Sequence, residues 1–219
     1  MAAVTIDELE IADDPAAWAA LGFDVEHDVC RLGTVVVRLA GREAGRGILG
    51  WSLRGIEQAE LDGLLTRRSQ SSEPQPAGVH PNGVVVIDHV VAMTPALDRT
   101  VAALQAGGLD LRRIREEPTA AGAPRQAFFR LGEVILEVVQ EPQEIVERDG
   151  GAERPARFWG LALSSGDLDA TVARMAPHAG EPRDAVQPGR RIATVARSAG
   201  LALPVALMSA VVPAGAPAR

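Results

Sequence analysis

The stretch VVVIDHVVAMTPALDRTVAALQAGGL, Val84 to Leu109, decides the fold. Val84 to Ala92 is dense in β-branched residues, which suits a strand. Thr94 is placed to cap a helix, and Pro95 fits its first position. Leu97, Val101 and Leu104 recur at i, i+4 and i+7 and form one apolar stripe. Burying those three side chains is worth roughly 1.5–3 kcal/mol each. Gly107 or Gly108 then ends the helix in a left-handed turn. Three further strands are predicted, around Leu109 to Arg115, Arg125 to Arg130 and Glu133 to Gln140. The unit reads β-α-β-β-β.

The same unit returns downstream. ALDRTVAAL, Ala96 to Leu104, lies over DLDATVARM, Asp167 to Met175, and IDHVVAM lies over FWGLALS, so His89 corresponds to Gly160. The second copy begins with a strand, Phe158 to Leu163. Its helix, Asp167 to Met175, presents Leu168, Val172 and Met175. Strands follow near Arg183 to Gln187, Arg191 to Ala196 and Leu201 to Ser209. The segment EPQEIVERDGGAERPAR between the copies reads as a charged linker.

The N-terminal part reads as a degenerate copy. Ile6-Asp7-Glu8 matches Ile87-Asp88-His89, a short helix is predicted at Pro15 to Leu21, and LGTVVVRLAG matches LGEVILEVVQ. ILGWSLRG followed by IEQAELDGLL reads as a strand and helix that begin a further, unfinished copy. The organisation is therefore a degenerate module over residues 1–66, a linker over 67–82, and complete modules over 83–142 and 157–211. The expected class is α+β, a cupped mixed sheet with helices on the outside.

Composition narrows the function. A chain of 219 residues can bury a core without staples. A net charge of −7 with no basic run argues against a nucleic-acid surface. All 22 basic residues are arginine, which excludes a Schiff-base lysine and the lysine of a phosphate loop. One cysteine, Cys30, rules out a disulfide within the chain and a multi-cysteine zinc site. The start MAAVTIDELEIADD is not a secretory signal, and the longest apolar run, Leu201 to Pro213, is too short to span a bilayer. A soluble cytoplasmic protein is expected. GRGILG, Gly45 to Gly50, satisfies G-x-G-x-x-G but leads into a strand, so it is no dinucleotide fingerprint. GWSLRG has the wrong spacing for a nucleophile elbow.

Tandem modules of this kind, carrying His in VVVIDHVV and Glu in EVILEVVQ, resemble the vicinal oxygen chelate superfamily of glyoxalases, extradiol dioxygenases, fosfomycin-resistance enzymes and bleomycin-binding proteins. The resemblance covers Gly83 to Ala210, with a weaker echo over residues 4 to 66. It implies a cup around a divalent ion, each module giving one ligand from its first strand and a carboxylate from its last. His89 and Glu137 match those positions, and strand parity puts Val85, Ile87, His89 and Val91 on one face, as it does Glu133, Ile135, Glu137 and Val139. The second module breaks the pattern, with Gly160 at the first-strand position and no carboxylate in LALPVALMS. Glu8 is a candidate third ligand, with Arg38 at the carboxylate-like position of its module.

Several readings follow. His89 and Glu137 form a metal pair for Ni, Mn, Fe or Zn, or an acid–base pair, or a polar pair at the floor of a ligand pocket, or a buried structural hydrogen bond. Gln126 and Phe128, and Arg191 beside Arg190, are candidate pocket residues, the arginines alternatively being solvated turn charges. Trp51 packs the N-terminal unit against the rest or walls the pocket. His27, His80 and His178 are expected at the surface. The resemblance implies a glyoxalase-like protein with a pocket of roughly a few hundred Å³ for a small organic molecule. It is either a metal-assisted lyase, isomerase or dioxygenase or a metal-free binding protein of the bleomycin-resistance type, and a homodimer is implied by resemblance alone.

Overall fold

The computed structural model describes residues 3–71, 80–118 and 122–210. Its strands and helices run in the order β1 (Thr5–Ile11), α1 (Pro15–Ala20), β2 (Val29–Leu32), β3 (Val35–Leu39), β4 (Ile48–Arg54), β5 (Thr66–Arg68), β6 (Val84–Thr94), α2 (Leu97–Ala106), β7 (Asp110–Arg115), β8 (Gln126–Leu131), β9 (Val134–Gln140), α3 (Gln143–Arg148), β10 (Arg157–Ser165), α4 (Leu168–Arg174), β11 (Arg183–Asp184), β12 (Arg191–Thr194) and β13 (Val205–Ser209). They build two mixed sheets.

The larger sheet has the order β11-β12-β13-β10-β6-β9-β8-β7. It is a palindrome of two β-α-β-β-β units. The first strands, β6 and β10, meet antiparallel at its centre, and each pairs in parallel with its own last strand. The internal two-fold shows in the hydrogen bonds. Thr94 and Thr100 share one at 2.7 Å, while Ser165 and Thr171 share one at 2.6 Å. Thr94 Oγ1 accepts from the Ala96 amide, and Ser165 Oγ from the Asp167 amide. Each strand thus hands over to its helix through the same pair of hydroxyls.

α2 buries Leu97, Val101 and Leu104, the predicted stripe. Its cap is Ala96 rather than Thr94, which bonds two residues ahead of itself in a hydroxyl turn. Short strands are the rule in the second unit. Pro204, which has no amide proton to donate, delays the last strand to Val205. The linker between the units holds a short helix, α3, which its charge pattern did not reveal.

The smaller sheet, β2-β3-β1-β4-β5, repeats the centre of the larger one strand for strand. β1 pairs antiparallel with β4 and parallel with β3, as β6 does with β10 and β9. β5 lies parallel to β4, as β13 does to β10. The unfinished copy predicted from ILGWSLRG is therefore present as two strands, β5 falling at the start of the segment expected to be a linker. The helix predicted over IEQAELDGLL does not form. Turns replace it, with Asp62 and Gly63 both at positive φ. The carboxylate of Asp62 accepts hydrogen bonds from Arg99 and from the buried Thr100. Ile56, Leu61 and Leu64 are buried all the same. Their spacing served the core without a helix.

The sheets share one core. Trp51, fully buried on β4, meets Phe158 of β10 edge-on with ring centroids 5.0 Å apart. Asp13, also fully buried, accepts from Trp18 Nε1 at 3.1 Å and from the Ala202 amide at 2.7 Å, tying the N-terminal unit to the last module. His80 is a correction to the reading of lone histidines as surface residues. It is buried, and both ring nitrogens are used: the Asp24 amide donates to Nδ1 at 2.9 Å and Nε2 reaches the Arg31 carbonyl at 2.8 Å.

Candidate functional site

Strand register fixes what each face of the large sheet presents. His89 pairs with Ile135 and with Ala162, Val91 pairs with Glu137, and Glu137 pairs with Phe128. Paired residues share a face. His89, Glu137, Phe128 and Ala162 therefore lie on one side of the sheet, while Ile87, Val90, Leu136 and Leu161 enter the core on the other. A register shift between Ala162 and Leu163 places Asp88 in a bulge beside His89, and such bulges re-aim side chains. Ala123 packs on Val91 and Val139 and covers part of this face.

The polar residues form a chain. His89 Nε2 stands 3.4 Å from Glu137 Oε2, and Gln126 Nε2 donates to Glu137 Oε1. On the other side His89 Nδ1 lies 3.0 Å from Asp88 Oδ1. Arg190 clasps Asp88 with both terminal nitrogens, at 3.1 and 2.5 Å, and also donates to the Ser209 carbonyl. The side chains of His89, Glu137, Asp88 and Arg190 keep only 10–16% of their surface in contact with solvent. Burial pushes the Glu137 carboxyl above its ordinary value, against the opposing pull of His89 and Gln126. Burial also acts on Asp88, but there the bonds from His89 and Arg190 win and hold it down at about 2.

The two carboxyls should therefore give opposite pH signatures. A depressed Asp88 adds stability that is present above its unfolded value of 3.8 and is lost as pH falls toward about 2. D88N is expected to cost about 2 kcal/mol at neutral pH. A raised Glu137 stabilises the fold fully below its unfolded value of 4.5 and loses that contribution as pH rises through its folded value. E137Q should flatten this decline, and urea midpoints across pH 3 to 8 check both signs.

The other predicted residues fall out differently. Gln126 joins the chain. Phe128 lies on the same face as Glu137, and Arg113 stacks on it 5.0 Å from the ring centroid. Arg191 points away, to Asp169 on the outer helix at 2.6 Å. Its neighbour Arg190 is the arginine that reaches the cup. Glu8 takes the His89-like place in the small sheet, pairing with Val36 as His89 pairs with Ile135. Its carboxylate is engaged by Arg38 at 2.9 and 3.2 Å, and it does not join His89 and Glu137. Among the described residues no three His, Cys, Asp or Glu side chains converge as a metal site. The sequence reading also passed over Asp88 as a partner and Trp159, a half-exposed aromatic at the register shift between Phe158 and Gly160.

No family model and no curated protein matches the sequence. Solved structures do. A xylose isomerase-like TIM barrel/4-hydroxyphenylpyruvate dioxygenase fusion protein superimposes with a TM-score of 0.58 at 14% identity, over 98% of this chain and 49% of its own length. The fold fits the tandem β-α-β-β-β arrangement that the resemblance to the vicinal oxygen chelate superfamily implied. Methylmalonyl-CoA epimerase from Mycobacterium tuberculosis matches at a TM-score of 0.48 and 16% identity, over 59% of this chain and 91% of its own. The Streptomyces coelicolor epimerase, in complex with 2-nitronate-propionyl-CoA, matches at 0.47 and 19%, over 59% and 99%. The chain spans about half the length of the fusion protein, and at these identities the likeness is one of fold.

The internal two-fold maps His89 onto Gly160 and, through the pairs Val91–Glu137 and Ala162–Ala206, Glu137 onto Ala206. The second half of the site thus offers no donor. Gly160 has no room for one either, since a Cβ there would lie 2.5 Å from the Pro204 carbonyl oxygen. Catalytic zinc sites commonly keep three protein ligands. Two donors and an obstructed third position do not fit a resident ion.

Proposed function

We propose that the cup of the large sheet binds a small organic molecule without a resident metal. A polar group of the ligand meets His89 and Glu137, and an apolar part lies over Ala162 and Ala206. This is a glyoxalase-like binding or sequestering protein of the bleomycin-resistance type. The observation that carries the reading is the one-sidedness of the cup. Its polar chain belongs to the first module, joined by a single arginine from the second, and the counterpart positions are Gly160 and Ala206.

One feature favours a second reading. Asp88 takes the Nδ1 side of His89, the arrangement that typically prepares the other nitrogen to bind a metal. Metal-assisted lyase, isomerase or dioxygenase chemistry is that alternative. Metal content after separate loading with Mn, Ni, Fe and Zn distinguishes the two. Sub-stoichiometric metal in every case is expected, together with library compounds that raise the melting temperature of the native protein but not of H89A or E137A. A compound at a hundred times its Kd stabilises by about 2.7 kcal/mol, well within detection. Near-stoichiometric metal lost in both variants would overturn the metal-free reading and establish the second.

A further inference from the structure

The geometry points to Asp88 and Arg190 as positioning residues that fix the tautomer and aim of His89 from across the module boundary. The inference rests on His89 being the working side chain of the cup. His89 is on β6, and among the described residues Asp88 is the partner of its Nδ1 edge. A carboxylate only accepts hydrogen bonds. In the neutral imidazole the contact at 3.0 Å places the proton on Nδ1 and leaves Nε2, 3.4 Å from Glu137 Oε2, unprotonated. Asp88 in turn is clasped by Arg190, whose Nε and one terminal nitrogen are anchored on the Ser209 carbonyl at the end of β13. Arg190 immediately precedes β12, and its side chain is nearly buried. The second module, which offers no donor of its own, thus reaches the site by orienting the first module's histidine. The bidentate clasp adds direction as well as attraction.

The small sheet carries a parallel. Asp7 corresponds to Asp88, and it too is bonded by an arginine from the opposite half, Arg54 of β4. There the neighbour is Glu8 rather than a histidine, and the device has nothing to orient.

Long-range proton–nitrogen correlation spectra of the imidazoles read the tautomer directly, in the full chain and without ligand. Comparison with H89Q assigns His89 among the four histidines. Neutral His89 is expected with the proton on Nδ1. In D88N one amide oxygen must serve three donors, and because Arg190 is anchored on Ser209, the imidazole gives way. The Nδ1–H to Nε2–H ratio should fall by roughly tenfold or more in D88N and D88A, the loss expected for a charge-assisted bond. R190A should show a partial fall, and R190K should recover part of it. A native His89 protonated on Nε2, or an unchanged ratio in D88N and D88A, overturns the inference. An unchanged ratio in folded R190A removes Arg190 from it. If no compound binds the cup, the proposed function fails while the tautomer result stands, so the two failures are separable.

Discussion

W51A is expected to lose about 3–5 kcal/mol of stability, the range for emptying a fully buried indole site. In a chain of this size that lowers the melting temperature by roughly 10 °C. Three contributions combine. The ring loses its apolar burial and its edge-on contact with Phe158, and Thr66 Oγ1 loses the indole donor at 2.7 Å. Trp51 also belongs to one sheet and Phe158 to the other, so the cavity opens where the two are joined. W159A is the control. Trp159 is 45% exposed, and truncating it should change stability by no more than about 0.5 kcal/mol. Urea denaturation of both variants decides the matter. A loss below about 1 kcal/mol in W51A would mean that the sheets are held together elsewhere.

The second large effect concerns the empty half of the cup. G160A is expected to destabilise by about 1–3 kcal/mol or more, because the added methyl meets the Pro204 carbonyl and the strand must shift. G160H should be worse still and should gain no metal affinity. A206E adds a carboxylate on the neighbouring strand β13, at a partly exposed position that already carries a Cβ, and should fold. Denaturation curves with metal titrations of all three variants test the pair of statements. A stable G160H that binds a divalent ion stoichiometrically would show that the missing ligand is a matter of sequence alone, not of backbone.

Much of the fold was legible because the two modules repeat at a constant spacing. Thr94, Thr100 and the Leu97 stripe return as Ser165, Thr171 and the Leu168 stripe, and register follows once side chains alternate. The site was half legible. Glu137 sits within a regular strand, where parity speaks, but parity alone put Ile87 on the face of His89, and the bulge at Asp88 sends Ile87 into the core instead. Arg190 and Arg191 stand at the start of β12 after a Pro-Gly turn, where parity starts afresh, and the sequence named both without deciding which would lie beside His89. Asp88 escaped notice because a bulge turns it toward His89, and bulges leave little mark in hydrophobic patterning. The segment 56–65 misled for a different reason. Apolar spacing reports which residues are buried, and Ile56, Leu61 and Leu64 achieve burial along a turn held by Asp62 and Arg99.

The broken two-fold has a consequence for recognition. A cup whose halves are equivalent accepts a molecule in two orientations related by the dyad and treats its ends alike. Here one half offers an imidazole, a carboxyl and an amide, while the other offers methyl groups at Ala162 and Ala206. For the binding role proposed above, the two poses of a guest would differ by the burial of a polar end against hydrocarbon, a cost of about 1–3 kcal/mol. That is enough to favour one pose by roughly tenfold or more. The internal repeat gives the sheet a two-fold frame, and the unequal side chains of its halves give that frame a direction.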